Sequence, residues 1–570
     1  MHHDIPNRVP MSHGSNPQLS TLLAPLGRGP ARAPLARAAV VSLFALLFRV
    51  AFVLDFSSQP LFDANLAQGT DMQVLIGWAR RIADGDLLGR GNGPFWWAPL
   101  FPYTLGGVFA LLGSGNLRAA ALAQAALGAL TCGLLYLLGR RCLDETTALI
   151  GGLLAAAYGT AVFYTGIFLS TTLEVFLAVA ILLGITAARA RPTVPRWLAA
   201  GIVTGLGCLA RPNFLLPALL LGALLPLLIR RPGGGPNWAT IGRAGAAFAC
   251  GVILAIAPVT VRNWTVGGQL VLVSAAGPET FRIANSYDST PLNFVYPRQP
   301  VMPITAGAFW RHQIRKAVLF WWGFEAPQNV NIYLARTLSP TLRLAWVPFW
   351  LAVPLAVVGL WATRSQANAL AHVYIFLGGY YLAVVPFFVI ARWRLPLIVP
   401  LLLFSAAGLL ALCRWIAAKQ WRAAALGVAV SAALALLIRP VSGPFIFAAD
   451  HGQLGYLLAN RGDFAEAASH LARAVADQPQ NAVLQRDLGL FLYRLGRGGE
   501  ARTHLETAVA LAPTDPLCHL YLGRLILASG GDPAQASAHL RRVLTLDPHG
   551  PAATTADALL KSLDPEGRMR

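Results

Sequence analysis

Eleven apolar runs of spanning or near-spanning length mark the first 440 residues, at about 38–56, 119–138, 146–164, 169–187, 197–210, 213–229, 243–261, 344–361, 370–391, 395–413 and 422–438. The pair 197–210 and 213–229 is short enough to be partly re-entrant. After the first run the pattern changes. Met72, Leu75, Ile76, Ala79 and Ile82 recur at helical spacing among polar neighbours, with Asp71 at the leading end, so this segment suits a helix lying along a membrane face. A turn at Gly85-Asp86, a Gly/Asn/Pro loop and the aromatic-proline cluster from Phe95 to Tyr103 follow. The pattern predicts an all-α, polytopic membrane domain of about 11 transmembrane helices over 38–440, with outer loops at 57–117 and 262–342.

Charge sets the orientation. Arg140/Arg141, Arg189/Arg191/Arg196, Arg230/Arg231, Arg364 and Arg414/Lys419/Arg422 fall in alternate short loops, which the positive-inside rule makes cytoplasmic. With a cytoplasmic N-terminus this parity requires the apolar stretch 98–113 to stay on the outer side rather than cross. The outer face then collects Asp71, the 164–174 turn, Arg211, the loop 262–342, Arg392/Arg394 and everything after residue 439.

Composition agrees with a membrane protein: 56% of residues are hydrophobic and only 12% charged, too few charges to cover a soluble surface. The formal net charge of +20 is spread between apolar runs with no dense basic stripe, which argues against nucleic acid. The six cysteines show neither a CxxC pair nor Cys/His ligand spacing, so no disulfide framework or zinc site is indicated. Residues 1–37 read as a disordered cytoplasmic tail. His312, His372 and His451 are scattered, and the sequence assigns them no chemistry.

The last domain repeats. Gly455, Gly489 and Gly523 recur at a step of 34, as do Ala474 to Ala508 and Pro479 to Pro513, with one added residue near Gly530-Gly531. Small residues that let two helices pack and a proline that ends each unit resemble the tetratricopeptide repeat. Three repeats over 450–549 are expected to form an α-helical solenoid whose groove takes a protein partner, with 550–570 as a tail.

The outer-loop residues carry a second resemblance. Asp71, six residues, then Trp78-Ala-Arg-Arg-Ile-Ala and Gly85-Asp86, followed by Ala98-Pro-Leu-Phe-Pro-Tyr103, is similar to the first outer loop of the GT-C multi-spanning glycosyltransferases. That superfamily includes protein O-mannosyltransferases of the family 39 type, aminoarabinose transferases and the oligosaccharyltransferase catalytic subunit. The stretch from Phe163 to Glu174, Arg211-Pro212-Asn213, Arg262-Asn263, Arg315-Lys316, Glu325-Ala-Pro327 and Arg392-Trp-Arg394 resemble further recurrent stretches of bacterial members. The resemblance implies transfer of a sugar from a polyprenyl-phosphate donor to a protein, glycan or lipid acceptor outside a bacterial inner (plasma) membrane, with the repeats extracytoplasmic. Asp71 is then the catalytic acid, chosen over Asp63, Asp84 and Asp86, and Glu174 a second one.

Chemistry narrows the remaining roles. A phosphate leaving group is weakly basic, so cationic donors suffice and no second acid need protonate it. Arg394 is the preferred phosphate ligand, with Arg392, Arg211, Arg262 and Lys316 as further candidates; interface arginines that snorkel to headgroups share the same positions. Trp96, Trp97 and Glu325 are candidates for acceptor or sugar contact, although interfacial aromatic belts use tryptophan equally. Asp71 and Glu174 could share a divalent ion, magnesium or manganese, but two isolated acids do not specify a metal. The rival readings are a non-catalytic repeat scaffold and a transporter or ligase of lipid-linked glycans in envelope polysaccharide assembly. A transporter should carry polar groups in mid-span, whereas the charges here cluster at run ends.

Overall fold

The computed structural model describes residues 33–563 except 92, 230–236, 287–291, 293–304, 345–346 and 441–444. Most of the expected N-terminal tail, 1–32, lies outside the described residues. The chain forms two units. One comprises Met1–Phe56, Gln68–Gln328 and Ser339–Val441; the other comprises Ser57–Ala67, Asn329–Leu338 and Ser442–Arg570.

The first unit is a helical membrane domain. Eight of its helices are long and apolar enough to cross a membrane, among the described residues: Ala33–Phe56, Leu117–Cys142, Thr171–Ala190, Trp238–Thr265, Pro340–Ala362, Arg364–Val384, Ala391–Ala417 and Trp421–Ile438. The other three of the eleven runs form shorter helices, for local reasons. The run 146–164 stops as a helix at Ala156, because Tyr158 and Thr160 turn inward to hydrogen-bond Glu325. Val194–Ala210 has 17 residues and ends before Arg211-Pro212, and the next helix, Leu215–Ala223, breaks ahead of Leu225-Pro226. Leu100–Leu112 has 13 residues, about 20 Å at 1.5 Å per residue, which is short of a hydrocarbon core of about 30 Å.

Ala391–Ala417 is the central helix, with 89% of its apolar window buried inside the protein. It crosses Phe349–Ala362 where Gly359 and Gly408 face each other. A Cβ on Gly359 would collide with the carbonyl oxygen of Phe404, and one on Gly408 with that of Leu355. In lipid, where apolar side chains gain little by leaving their surroundings, such close backbone contact is what holds helices together.

The second unit contains three helix pairs, Ala448–Asn460 with Phe464–Asp477, Ala482–Arg494 with Gly498–Leu511, and Pro516–Ala528 with Pro533–Leu546. Three repeats bury little on their own, and this unit is completed at both ends. At its start Arg461 donates to Asp63 at 2.6 Å and to the carbonyls of Ser58 and Gln59 at 2.8 and 3.0 Å, while Asn331 donates to Asp450 at 2.6 Å and to the carbonyl of Phe445 at 2.7 Å. At its end Pro551–Leu563 is a helix, where a tail was expected. Ala552 and Ala556 join Leu520, Leu540 and Val543 in one buried cluster, so this helix caps the last repeat. Residues 564–570 lie outside the described residues.

Each repeat also carries a polar clasp that the sequence reading passed over. Gln485 donates Nε2 to the carbonyl of Pro479 at 2.8 Å and meets His504 Nδ1 through Oε1 at 2.7 Å. One repeat later, His519 Nε2 meets the Pro513 carbonyl at 3.1 Å and its Nδ1 meets His539 Nδ1 at 3.0 Å. His451 and His470 pair the same way at 2.9 Å. Two ring nitrogens can share only one proton, so doubly protonated rings break the clasp. Burial, and then the neighbouring His451, pull His470 down to about 4; burial foremost also lowers His451 and His539.

These imidazoles are depressed in the folded state, so the unfolded chain binds protons first as pH falls. Their stabilisation is complete above about 6.5, the ordinary histidine value, and is lost from there down towards about 4. Amide hydrogen exchange over 448–546 of the whole protein is therefore expected to speed up between pH 7 and pH 5 beyond the intrinsic rate change. His519→Gln, which copies Gln485, is expected to flatten that response in the third repeat. An unchanged response in that variant would show that the clasp does not set it.

Candidate active site

Asp71 opens the helix Asp71–Ala83. Thr70 caps this helix by accepting from the Gln73 amide at 3.2 Å, and Met72, Leu75, Ile76, Trp78, Ala79 and Ile82 are buried along one side. That burial fixes the helix and so the place of the carboxylate. Asp71 Oδ2 accepts from Arg392 Nη2 and from Gln328 Nε2, both at 3.2 Å, and Gln328 Oε1 accepts from Arg392 Nε at 2.6 Å. The three side chains close a triangle. The Asp71 side chain remains 31% exposed.

A second pair lies within electrostatic range. Glu174 is fully buried in the first turn of Thr171–Ala190, accepting from Arg211 Nε at 2.6 Å and from the Ser170 hydroxyl. The Arg211 guanidinium lies 5.0 Å from the ring centroid of Trp393, the residue after Arg392. Arg392 is subject to the charges of Arg211, Asp71 and Glu174, and Arg211 to those of Glu174 and Asp71. Two acid–arginine pairs thus lie within electrostatic range of each other. Nη1 of Arg392 and both Nη groups of Arg211 have no partner among the described residues.

The other expected phosphate ligands are placed differently. Arg394, two residues on from Arg392, is 2% exposed and donates to the carbonyls of Phe320, Trp322 and Phe324 and to Glu325 at 2.7–3.1 Å. Glu325 also accepts from Tyr158 at 2.8 Å and Thr160 at 3.1 Å. Arg394 and Glu325 therefore form an internal clamp, with no Nη donor left for a phosphate and both carboxylate oxygens engaged. Arg262 ties down the loop ahead of Phe95, donating to Leu88, Gly89 and Gly93 carbonyls at 2.8 Å each and lying 3.9 Å from the Phe95 ring centroid. Lys316 Nζ donates to Ala284 O and Asn285 Oδ1 at 2.9 Å and to Pro386 O at 3.2 Å, and burial lowers it to about 7.

Trp96 is exposed and Trp97 half-buried, and neither has a described contact with the Asp71 cluster. Among the competing acids, Asp63 belongs to the repeat unit through Arg461, and Asp86 caps the Gly89 amide at 2.8 Å. Both Glu174 oxygens are taken, and no group of three metal-ligating side chains converges among the described residues. Asp71 and Glu174 as placed therefore do not fit a shared magnesium or manganese ion. Gln328, Ser170 and Trp393 complete the cluster and were not singled out as site residues. The only signal for Gln328 was its place directly after the Glu325-Ala-Pro327 stretch.

Residues 96–261 match the family "dolichyl-phosphate-mannose-protein mannosyltransferase", and residues 458–525 match a tetratricopeptide repeat family. The first match contains Glu174 and Arg211; Asp71 and Arg392 lie outside it. No curated protein matches the sequence. Among solved structures, ArnT from Cupriavidus metallidurans bound to undecaprenyl phosphate aligns at TM-score 0.42 and 14% identity, over 92% of this chain and 77% of that one. The oligosaccharyltransferase AglB from Archaeoglobus fulgidus, in complex with an inhibitory peptide and a dolichol-phosphate, aligns at TM-score 0.42 and 15% identity, over 76% of this chain and 57% of that one. The apo form of an Archaeoglobus fulgidus oligosaccharyltransferase gives 0.40 and 15%, over 72% and 54%. This chain thus spans little more than half the length of the archaeal enzymes. Scores at this level carry no weight on their own, and the assignment rests on the sequence matches. Residues 96–261 of the membrane region are thus similar to the dolichyl-phosphate-mannose-protein mannosyltransferases, and residues 458–525 to the tetratricopeptide repeats.

Proposed function

We propose that this protein is a glycosyltransferase that moves a sugar from a polyprenyl-phosphate donor to a hydroxyl-bearing acceptor on the extracytoplasmic side of a membrane. The observation that carries the reading is the pairing of Asp71 with Arg392, with Arg211 within electrostatic range, two guanidiniums with N–H donors to spare. Arg392 and Arg211 bind the donor phosphate, which departs as polyprenyl phosphate when the bond from the anomeric carbon to the phosphate oxygen breaks. Asp71 takes the proton of the acceptor hydroxyl as that oxygen attacks from the opposite face, and the anomeric configuration inverts. Gln328 holds Asp71 and Arg392 in register, and Glu174 orients Arg211.

Chain connectivity supports placing the repeats on the same side as Asp71. Residues 57–67 run between the end of the first span and the Asp71 helix, and they are part of the repeat unit. The repeat groove would then present an acceptor protein or an assembly partner on the side of the membrane where transfer occurs.

Arg392→Met removes charge-assisted bonds to phosphate worth about 1.5–3 kcal/mol. It is expected to weaken inhibition by free polyprenyl phosphate, the leaving group, by about 10- to 100-fold. The same affinity for polyprenyl phosphate in wild type and variant would remove Arg392 from the phosphate site.

A further inference from the structure

A second cation sits apart from the Asp71 cluster and serves none of the chemistry above. Arg49 lies within the first span, Ala33–Phe56, at 2% exposure. Its Nη groups reach only neutral oxygens: Ala45 O at 3.2 Å, Ala156 O at 3.3 Å and Ala155 O at 3.5 Å. Nε has no hydrogen-bond partner, the Cys132 thiol lies close to the guanidinium, and no carboxylate pairs with Arg49 among the described residues. An uncompensated guanidinium inside a span is costly, and carbonyl dipoles at these lengths do not cancel its charge.

Arg49 borders a cavity of about 20 Å³, room for one water-sized species, whose polar wall is Thr131, Cys132, Tyr164, Thr171 and Thr172. Three of these spend their hydrogens on main-chain carbonyls: Thr131 on Leu127 at 2.9 Å, Cys132 on Gly128 at 3.4 Å and Thr172 on Tyr164 at 3.1 Å. Thr171 does not. It is fully buried and its hydroxyl has no partner. Thr171 is also the first residue of a 20-residue helix, so the positive end of that helix dipole meets the same space. Directly beside Arg49, Gly128 makes room for the guanidinium, since a Cβ there would lie 2.8 Å from Arg49 Nε.

Two unspent donors, a cationic group and a helix N-terminus border one small, partly open space, and no lining residue is acidic. We infer that this cavity is a binding site for a small monovalent anion, a halide, held by Arg49 Nε and the Thr171 hydroxyl. The anion supplies the counter-charge that the first span lacks. Its lining includes none of Asp71, Glu174, Arg211 and Arg392, so this site is distinct from the donor site proposed above and stands or falls independently of it.

The test uses the whole protein purified in detergent, melted in sodium chloride and in sodium gluconate at equal ionic strength. Chloride is expected to raise the melting temperature saturably by a few degrees. Arg49→Met should melt identically in the two salts, and Thr171→Val should need several-fold more chloride for the same rise. In crystals grown with bromide, an anomalous peak is expected between Arg49 and Thr171. Equal melting of wild type in both salts, a chloride response kept by Arg49→Met, or a water at that position that bromide does not replace would each overturn the inference. If Arg49→Met fails to fold, Thr171→Val and the bromide peak decide.

Discussion

Asp71→Asn is expected to lower sugar transfer by about 10²- to 10⁴-fold, the range that general-base catalysis contributes, with expression, membrane insertion and melting temperature close to wild type. The substitution keeps the shape of the side chain and one oxygen to accept from Gln328 or Arg392. It removes the group that takes the proton. Burial of Met72, Ile76 and Ala79 along one side of the Asp71–Ala83 helix holds the backbone in place, so the loss should appear in kcat rather than in folding. Asp63→Asn makes the control: Asp63 pairs with Arg461 within the repeat unit, and its loss is expected to leave turnover at the saturating donor unchanged. Radiolabel transfer by both purified variants checks the pair of outcomes. Wild-type rates in Asp71→Asn would move the base to another residue.

Glu325→Ala is expected to cost about 3–5 kcal/mol of stability, because it strands the Arg394 guanidinium in the interior. Both side chains are almost fully inaccessible, at 2% and 3%. Arg394 sits at the start of the central helix and gathers the carbonyls of Phe320, Trp322 and Phe324, so it anchors the chain that leads to Gln328. Arg394→Lys should not rescue the site, since one ammonium cannot replace donors spread over two guanidinium nitrogens. The double variant Glu325→Leu/Arg394→Met should be more stable than Glu325→Ala alone, because it leaves no unpaired charge. Thermal unfolding in detergent measures all three. A Glu325→Ala protein that melts with wild type would show the clamp to be dispensable.

The contrast between Arg392 and Arg394 shows where sequence reading stops. Both residues stand at the outer end of an apolar run in the same tripeptide, and periodicity ranks neither above the other. Their roles are set by partners 64–74 residues away, namely Gln328 for Arg392 and the 320–325 segment for Arg394. Asp71 was legible because an amphipathic face begins directly behind it, and Glu174 because a lone acid in an apolar run is conspicuous. Gln328 was not, since one neutral residue in a loop carries no periodic or electrostatic mark.

The same distinction applies to the fold. Long apolar runs gave spans, but the run 146–164 breaks between Ala156 and Gly159, where Tyr158 and Thr160 hydrogen-bond Glu325, about 165 residues away. In the repeat domain the glycine and proline period was plain. The clasps also follow it, with His451, Gln485 and His519 at a step of 34. They escaped notice because histidine and glutamine look unrelated until each is seen to offer one donor and one acceptor. Recruitment of residues 57–67 and 329–338 to the repeat unit has no local signature at all, being made by Arg461 across 398 residues and by Asn331 across 114.

The most direct test of the central claim incubates the purified wild-type protein with a panel of radiolabelled polyprenyl-phosphate sugars and a membrane extract as the source of acceptors. Label from at least one donor is expected to pass to an extract component with release of polyprenyl phosphate, and the transferred sugar is expected to carry the inverted anomeric configuration. Absence of transfer from every donor, with the repeats still capturing a partner from the extract, would contradict the account and favour a scaffold.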